Sequence, residues 1–174
     1  MKKNITFLFV AAGIYCLPIY ADEPSLLKNG SFEFSDVPKH WIIFSEEPSN
    51  DEWVRILESP KDEGRMAELV AGPPKRYLAQ DIKIEEGGSG FYVLRWKSKG
   101  EGTGSASLLA RDAEGNFFKP SFEAFTATQE FESHEISLVV PDEAVFVRVS
   151  IIADSPGSVV SFDEMEFFRI EEPQ

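Results

Sequence analysis

Thiol chemistry is all but missing from this chain. One cysteine, Cys16, occurs among 174 residues, inside an apolar stretch near the start. Histidine is scarce as well, with only His40 and His134, and 17 lysines and arginines face 30 acids, for a formal charge of −13. So acidic a chain is repelled by phosphate backbones and anionic lipid heads, which excludes nucleic acid and a polybasic membrane anchor as expected partners. Two histidines, no Gly-x-Ser-x-Gly elbow and no thiol beyond Cys16 leave little for triad chemistry, and no enzyme activity is expected.

What the chain does have at its start is the anatomy of a secretory signal: Lys2 and Lys3, the apolar run Ile5 to Leu17, and a small residue at Ala21. Cleavage after Ala21 leaves residues 22–174 as the domain, two charges more negative and without any cysteine. Neither a disulfide nor a thiolate metal site is then possible, so the fold must rest on core packing, and any bound ion would be held by oxygen ligands. A transmembrane reading is weaker, because Pro18 breaks the apolar run and Asp22-Glu23 follows at once. A lipoprotein signal at Cys16 would place Tyr15 where a small residue is wanted. The expected location is secreted, extracellular or periplasmic, with no membrane contact after cleavage.

Apolar residues make up 43% of the chain and include 15 phenylalanines, enough for a single well-filled core. The remaining pattern is short β-type runs parted by Gly, Pro, Asn and Asp. Tyr92, Leu94 and Trp96 alternate with Val93, Arg95 and Lys97; Ile136, Leu138 and Val140 alternate with Ser137 and Val139; Val145, Val147, Val149 and Ile151 alternate with Phe146, Arg148 and Ser150. Asp112-Ala113-Glu114-Gly115-Asn116 reads as a hairpin connection from a strand near Ser105 to Arg111 into one starting at Phe117. About ten such runs at near-regular spacing predict an all-β jelly-roll β-sandwich of two antiparallel sheets.

The first and last strands carry a resemblance. Leu27-Lys28-Asn29-Gly30-Ser31-Phe32-Glu33, followed by His40-Trp41, opens the domain, and Val159-Val160-Ser161-Phe162-Asp163-Glu164-Met165-Glu166-Phe167 closes it. With Leu78-Ala79-Gln80-Asp81-Ile82-Lys83-Ile84 and the run Gly90 to Lys99 between them, the chain from about Leu26 to Ile170 resembles carbohydrate-binding modules of families 4, 9 and 22. The resemblance implies a jelly roll of the galactose-binding type that binds a polysaccharide or glycan without catalysis. Such modules usually sit beside a catalytic domain, so separate glycan-active enzymes or surface proteins are conceivable partners. The alternative is a jelly roll with a structural or adhesive role. Some jelly-roll glycosidases order their acids as Glu-x-Asp-x-x-Glu; that order is not found here, and Asp163-Glu164-Met165-Glu166 comes nearest.

The resemblance also implies a structural calcium ion near the chain ends, with Glu33 and Asp163 as carboxylate ligands and Asp62 or Glu63, with the carbonyl of Arg65, as the third contribution. Calcium takes six to eight oxygens, which adjacent end strands can supply. Asp163 interrupts the buried alternation of Phe162, Met165 and Phe167, a break expected at a bulge or an ion site. For sugar stacking the candidates are Trp53, Tyr77 and Phe117, each at a turn or strand end, while Trp41 and Trp96 read as core. Arg95, Lys97 and Arg148 are expected on one sheet face, a positive strip able to receive the carboxylates of an acidic glycan.

Overall fold

The computed structural model describes residues 24–33, 40–45, 53–58, 64–73 and 75–170. They form ten strands: β1 (Ile42–Ser45), β2 (Val54–Glu58), β3 (Arg65–Val70), β4 (Arg76–Lys83), β5 (Gly90–Glu101), β6 (Thr103–Arg111), β7 (Ser121–Thr126), β8 (Glu132–Val140), β9 (Phe146–Ala153) and β10 (Val159–Ile170). The first sheet has the order β1-β4-β9-β6-β7 and the second β2-β3-β10-β5-β8, with every pairing antiparallel. The chain is therefore the all-β, two-sheet jelly roll that its alternation predicts. The signal segment lies outside the described residues.

Between the sheets the alternating side chains interlock. Leu78, Leu108, Val147, Val149 and Ile151 face inward from the first sheet, and Leu69, Leu94, Trp96, Phe162 and Phe167 face them from the second. Fully burying a side chain of this size contributes about 1.5–3 kcal/mol, so this layer is the main source of stability. The Asp112 turn forms as read: Asp112 Oδ1 accepts the Asn116 N–H at 2.7 Å, which closes the loop after β6. The next strand starts at Ser121 rather than Phe117, which makes only an isolated bridge to Arg111.

The opening motif has a structural task. Its segment runs along β10, with Leu26 N donating to Phe167 O at 2.6 Å and Met165 N donating to Gly30 O at 3.1 Å. A Cβ on Gly30 would collide with the Met165 carbonyl, so only glycine permits this approach. The Gln80 amide clamps the same segment to β4, accepting from Lys28 N at 2.8 Å and donating to Lys28 O at 2.9 Å. Phe32 is fully buried and stacks on Trp41 at 5.5 Å. Asn29, Phe32 and Trp41 thus close one end of the core, and the Trp41 indole donates to Asn29 O.

Candidate functional site

Antiparallel pairing brings one outward row from each central strand of the first sheet together. Tyr77 and Asp81 stand on β4, Arg148, Ser150 and Ile152 on β9, and Ser107 and Leu109 on β6. All of these but Asp81, with Lys75 and Ser105, line a groove of about 500 Å³, walled on the far side by Phe117, Pro120 and Phe122. Phe117 is 60% exposed and Phe122 63%, a large apolar area left in water. Opposite them, Tyr77 is held flat against Phe44 at 4.8 Å and 8°. On the floor between these aromatic walls Ser107 and Ser150 are register partners on neighbouring strands. Aromatic faces on two sides and hydroxyls below suit a ligand with apolar faces and a polar perimeter.

The Arg148 charge at the groove is spoken for. Arg148 Nε and Nη2 donate to Asp81 Oδ1 and Oδ2 at 2.7 and 2.8 Å, while Arg111 Nη2 reaches Oδ2 at 3.2 Å. The Arg148 hydrogen bond holds the Asp81 carboxyl below its ordinary value against the opposing effect of burial. Arg148 also lies 4.6 Å over the Phe44 ring. It braces the groove wall.

Of the sequence candidates, Tyr77, Phe117 and Arg148 therefore meet in one groove. Arg95 and Lys97 do not join them. They stand on β5, in the second sheet, and point out of the opposite side of the sandwich; the strand order, which periodicity does not encode, separates them from Arg148. Each is ion-paired at 2.6 Å, Arg95 with Glu135 and Lys97 with Glu164, so no positive strip spans the three. Trp53 is 3% exposed and belongs to the core, which leaves its ring no face for a ligand. Phe122, Asp81 and Lys75 escaped the sequence reading; β7 alternates half-buried and exposed residues, and Phe122 falls on its exposed row.

At the chain ends, β10 bulges between Asp163 and Glu166, and Glu164 adopts a positive φ of 45°. The bulge turns Asp163 inward, 4% exposed, where its Oδ1 accepts the Glu164 N–H at 2.7 Å. Burial above all, with the charges of Glu164 and Glu33, pushes its carboxyl up to about 6, opposed by that hydrogen bond and by Lys97. Glu33 Oε1 accepts the Arg65 N–H at 3.0 Å, and a Cβ on Gly64, at φ 101°, would strike this carboxylate. Asp62 and Glu63 lie outside the described residues. Among the described residues no group of three or more His, Cys, Asp or Glu gathers as a metal site. Asp163 is thus a buried carboxylate in the field of Glu33 and Glu164, the two-carboxylate pairing nearest to an oxygen site among the described residues.

A Ser-His-Glu arrangement occurs where the sheet edges meet: Ser98 Oγ lies 2.9 Å from His134 Nε2, and His134 Nδ1 lies 3.5 Å from Glu123 Oε1. His134 is stacked on Trp96 at 5.1 Å and against Phe125 at 4.4 Å. Ser98 is 1% exposed, so its hydroxyl is shielded from any substrate carbonyl. The cluster ties β7 of one sheet to β8 of the other.

No protein-family model matches the chain, and no curated protein matches it. Solved structures do. The enzymatically active domain of tailspike protein 4 from bacteriophage CBA120 superposes with a TM-score of 0.66 at 16% identity, over 84% of this chain and 21% of that one. The module TmCBM61, solved in complex with β-1,4-galactotriose, gives 0.60 at 18% identity, over 85% and 100%. The CBM22-1-GH10 modules of xylanase 10B from Clostridium thermocellum, complexed with xylohexaose, give 0.62 at 17%, over 83% and 28%. The chain spans about a fifth of the tailspike domain and all of the family 61 module. It has the jelly-roll fold of the carbohydrate-binding modules.

Proposed function

We propose that this chain is a secreted, non-catalytic module that binds a glycan in the groove on the outer face of its first sheet. One observation carries the reading: Phe117 and Phe122, each more than half exposed, face Tyr77 across a floor of Ser107 and Ser150. Exposed aromatic area of this kind is unfavourable in water unless a partner covers it, and a pyranose ring offers CH faces for the aromatics and hydroxyls for the serines. The oligosaccharides bound by two of the structural neighbours support the same ligand class. A calcium ion at the chain ends completes the proposal. Asp163 and Glu33 would hold it, with Asp62 or Glu63 and the carbonyl of Arg65, and the ion would supply charge compensation to the buried carboxylate.

Affinity electrophoresis of residues 22–174 through gels containing neutral and acidic polysaccharides tests the function. Retardation by at least one polymer, weakened in Phe117→Ala and Phe122→Ala, is the expected result. Free migration through every gel would shift the assignment to a structural or adhesive role with a protein partner.

A further inference from the structure

We propose that the glycan taken by the groove is O-acetylated, because the lining donates hydrogen bonds and covers methyl groups but offers few acceptors to free sugar hydroxyls. This deepens the glycan-binding reading and rests on it. Among the described residues no Asp, Glu, Asn, Gln or His lines the groove. In a chain with 30 acids that sets it apart. The hollow beside Arg95 and Lys97 is bordered by Glu135, Glu164 and Glu166, the one beside Arg76 by Asp154, and the one beside Lys99 by Glu68 and Glu101.

The groove lining falls into two groups. The side chains of Leu109, Ile152, Phe117, Pro120 and Phe122 make no hydrogen bond at all. Lys75 and Arg148 only donate, whereas Tyr77 and the serines both donate and accept. Ser105 is 1% exposed, so Ser107, Ser150 and Tyr77 are the side-chain acceptors that a ligand meets. Asp81 adds none, since both its carboxylate oxygens are spent on Arg148 and Arg111. A bare glycan brings a donor with every hydroxyl, and each one covered without an acceptor is unfavourable. An O-acetyl group removes that donor, puts a carbonyl acceptor in its place and adds a methyl group. The carbonyl complements the Lys75 ammonium and the serine hydroxyls. The methyl group covers apolar area on Leu109 and on the exposed Phe117 and Phe122 rings.

The test uses the same gels and compares each polysaccharide with its own lightly O-acetylated derivative, reading dissociation constants from retardation at several polymer concentrations. The acetylated form of at least one backbone should bind about fivefold or more tightly than its parent. Mild alkali, which removes the esters, should return the affinity to that of the parent. Phe122→Ala should weaken binding of the acetylated form more than that of the parent and so narrow the gap. Leu109→Asn supplies a carboxamide that accepts as well as donates, and should narrow the gap by improving retention of the parent polymer. Melting is recorded for both variants, and Phe122, 63% exposed, provides the one whose fold does not depend on the ring. Equal or weaker binding of every acetylated form overturns the inference and leaves glycan binding standing; retention of neither form of any polymer overturns both. Equal losses on the two forms in Phe122→Ala, with no narrowing in Leu109→Asn, would overturn the assignment of the acetyl group to this lining.

Discussion

Asp81 takes two parallel hydrogen bonds from Arg148, at 2.7 and 2.8 Å, and a third from Arg111 at 3.2 Å, so one carboxylate ties β4, β9 and β6 together beneath the groove. Removing it leaves two half-buried guanidinium groups without their counter-charge. Asp81→Ala should lower stability by about 1.5–3 kcal/mol, read as a shift in the urea midpoint with an unchanged slope. A variant within experimental error of the parent would mean that water replaces the carboxylate at no cost.

The same contact sets a pH dependence. The Asp81 carboxyl is held below its ordinary value in the folded chain, so the unfolded chain takes up its proton first as pH falls. The stabilisation is complete above the unfolded value of about 3.9 and is lost as pH falls through the lower folded value. The stability difference between the parent chain and Asp81→Asn should therefore be constant from pH 7 to about 5 and shrink below about 4. A difference that grows on acidification would reverse the assigned sign.

Much of this fold is legible in the sequence, and the part that is not has one physical cause. Tyr92, Leu94 and Trp96, and likewise Val147, Val149 and Ile151, are buried where period-two alternation puts them. Alternation is local. It says that Arg95 and Arg148 point outward but not out of which sheet, because β5 and β9 join different sheets through pairings between residues far apart in the chain. Trp53 misled for a related reason: its polar upstream neighbours suggest a loop, while the core that covers its ring is assembled from distant strands. The Gln80 clamp on Lys28, which joins residues 52 positions apart, follows from no single motif.

Exposed and buried aromatics should respond in opposite ways. Phe117→Ala and Phe122→Ala remove rings that the core does not need, so stability should stay within about 0.5 kcal/mol. Each should cost about 1 kcal/mol or more of binding to a retained polysaccharide, roughly fivefold in affinity. Trp53→Ala should do the reverse at first order, costing about 3–5 kcal/mol of stability because it empties a core position. Circular dichroism melts beside affinity electrophoresis separate the two classes, and a binding loss confined to Trp53→Ala would remove the groove from the account.

The bulge at Asp163 provides the last test. A carboxylate 4% exposed, within the field of Glu33 and Glu164, is an unfavourable arrangement at neutral pH unless a cation joins it. A bound calcium stabilises the folded chain by about 2.7 kcal/mol when present at a hundred times its dissociation constant. For a domain of this size that corresponds to a melting shift of several degrees. Chelator should lower the melting temperature by that amount, calcium should restore it, and magnesium, which tolerates fewer protein oxygens, should restore less. Asp163→Asn should melt at one temperature with or without calcium, because the substitution removes both the ligand charge and the repulsion that the ion relieves. A parent chain indifferent to chelator would instead make Asp163 a buried acid of the bulge alone, its hydrogen bond from Glu164 serving to hold the positive-φ turn.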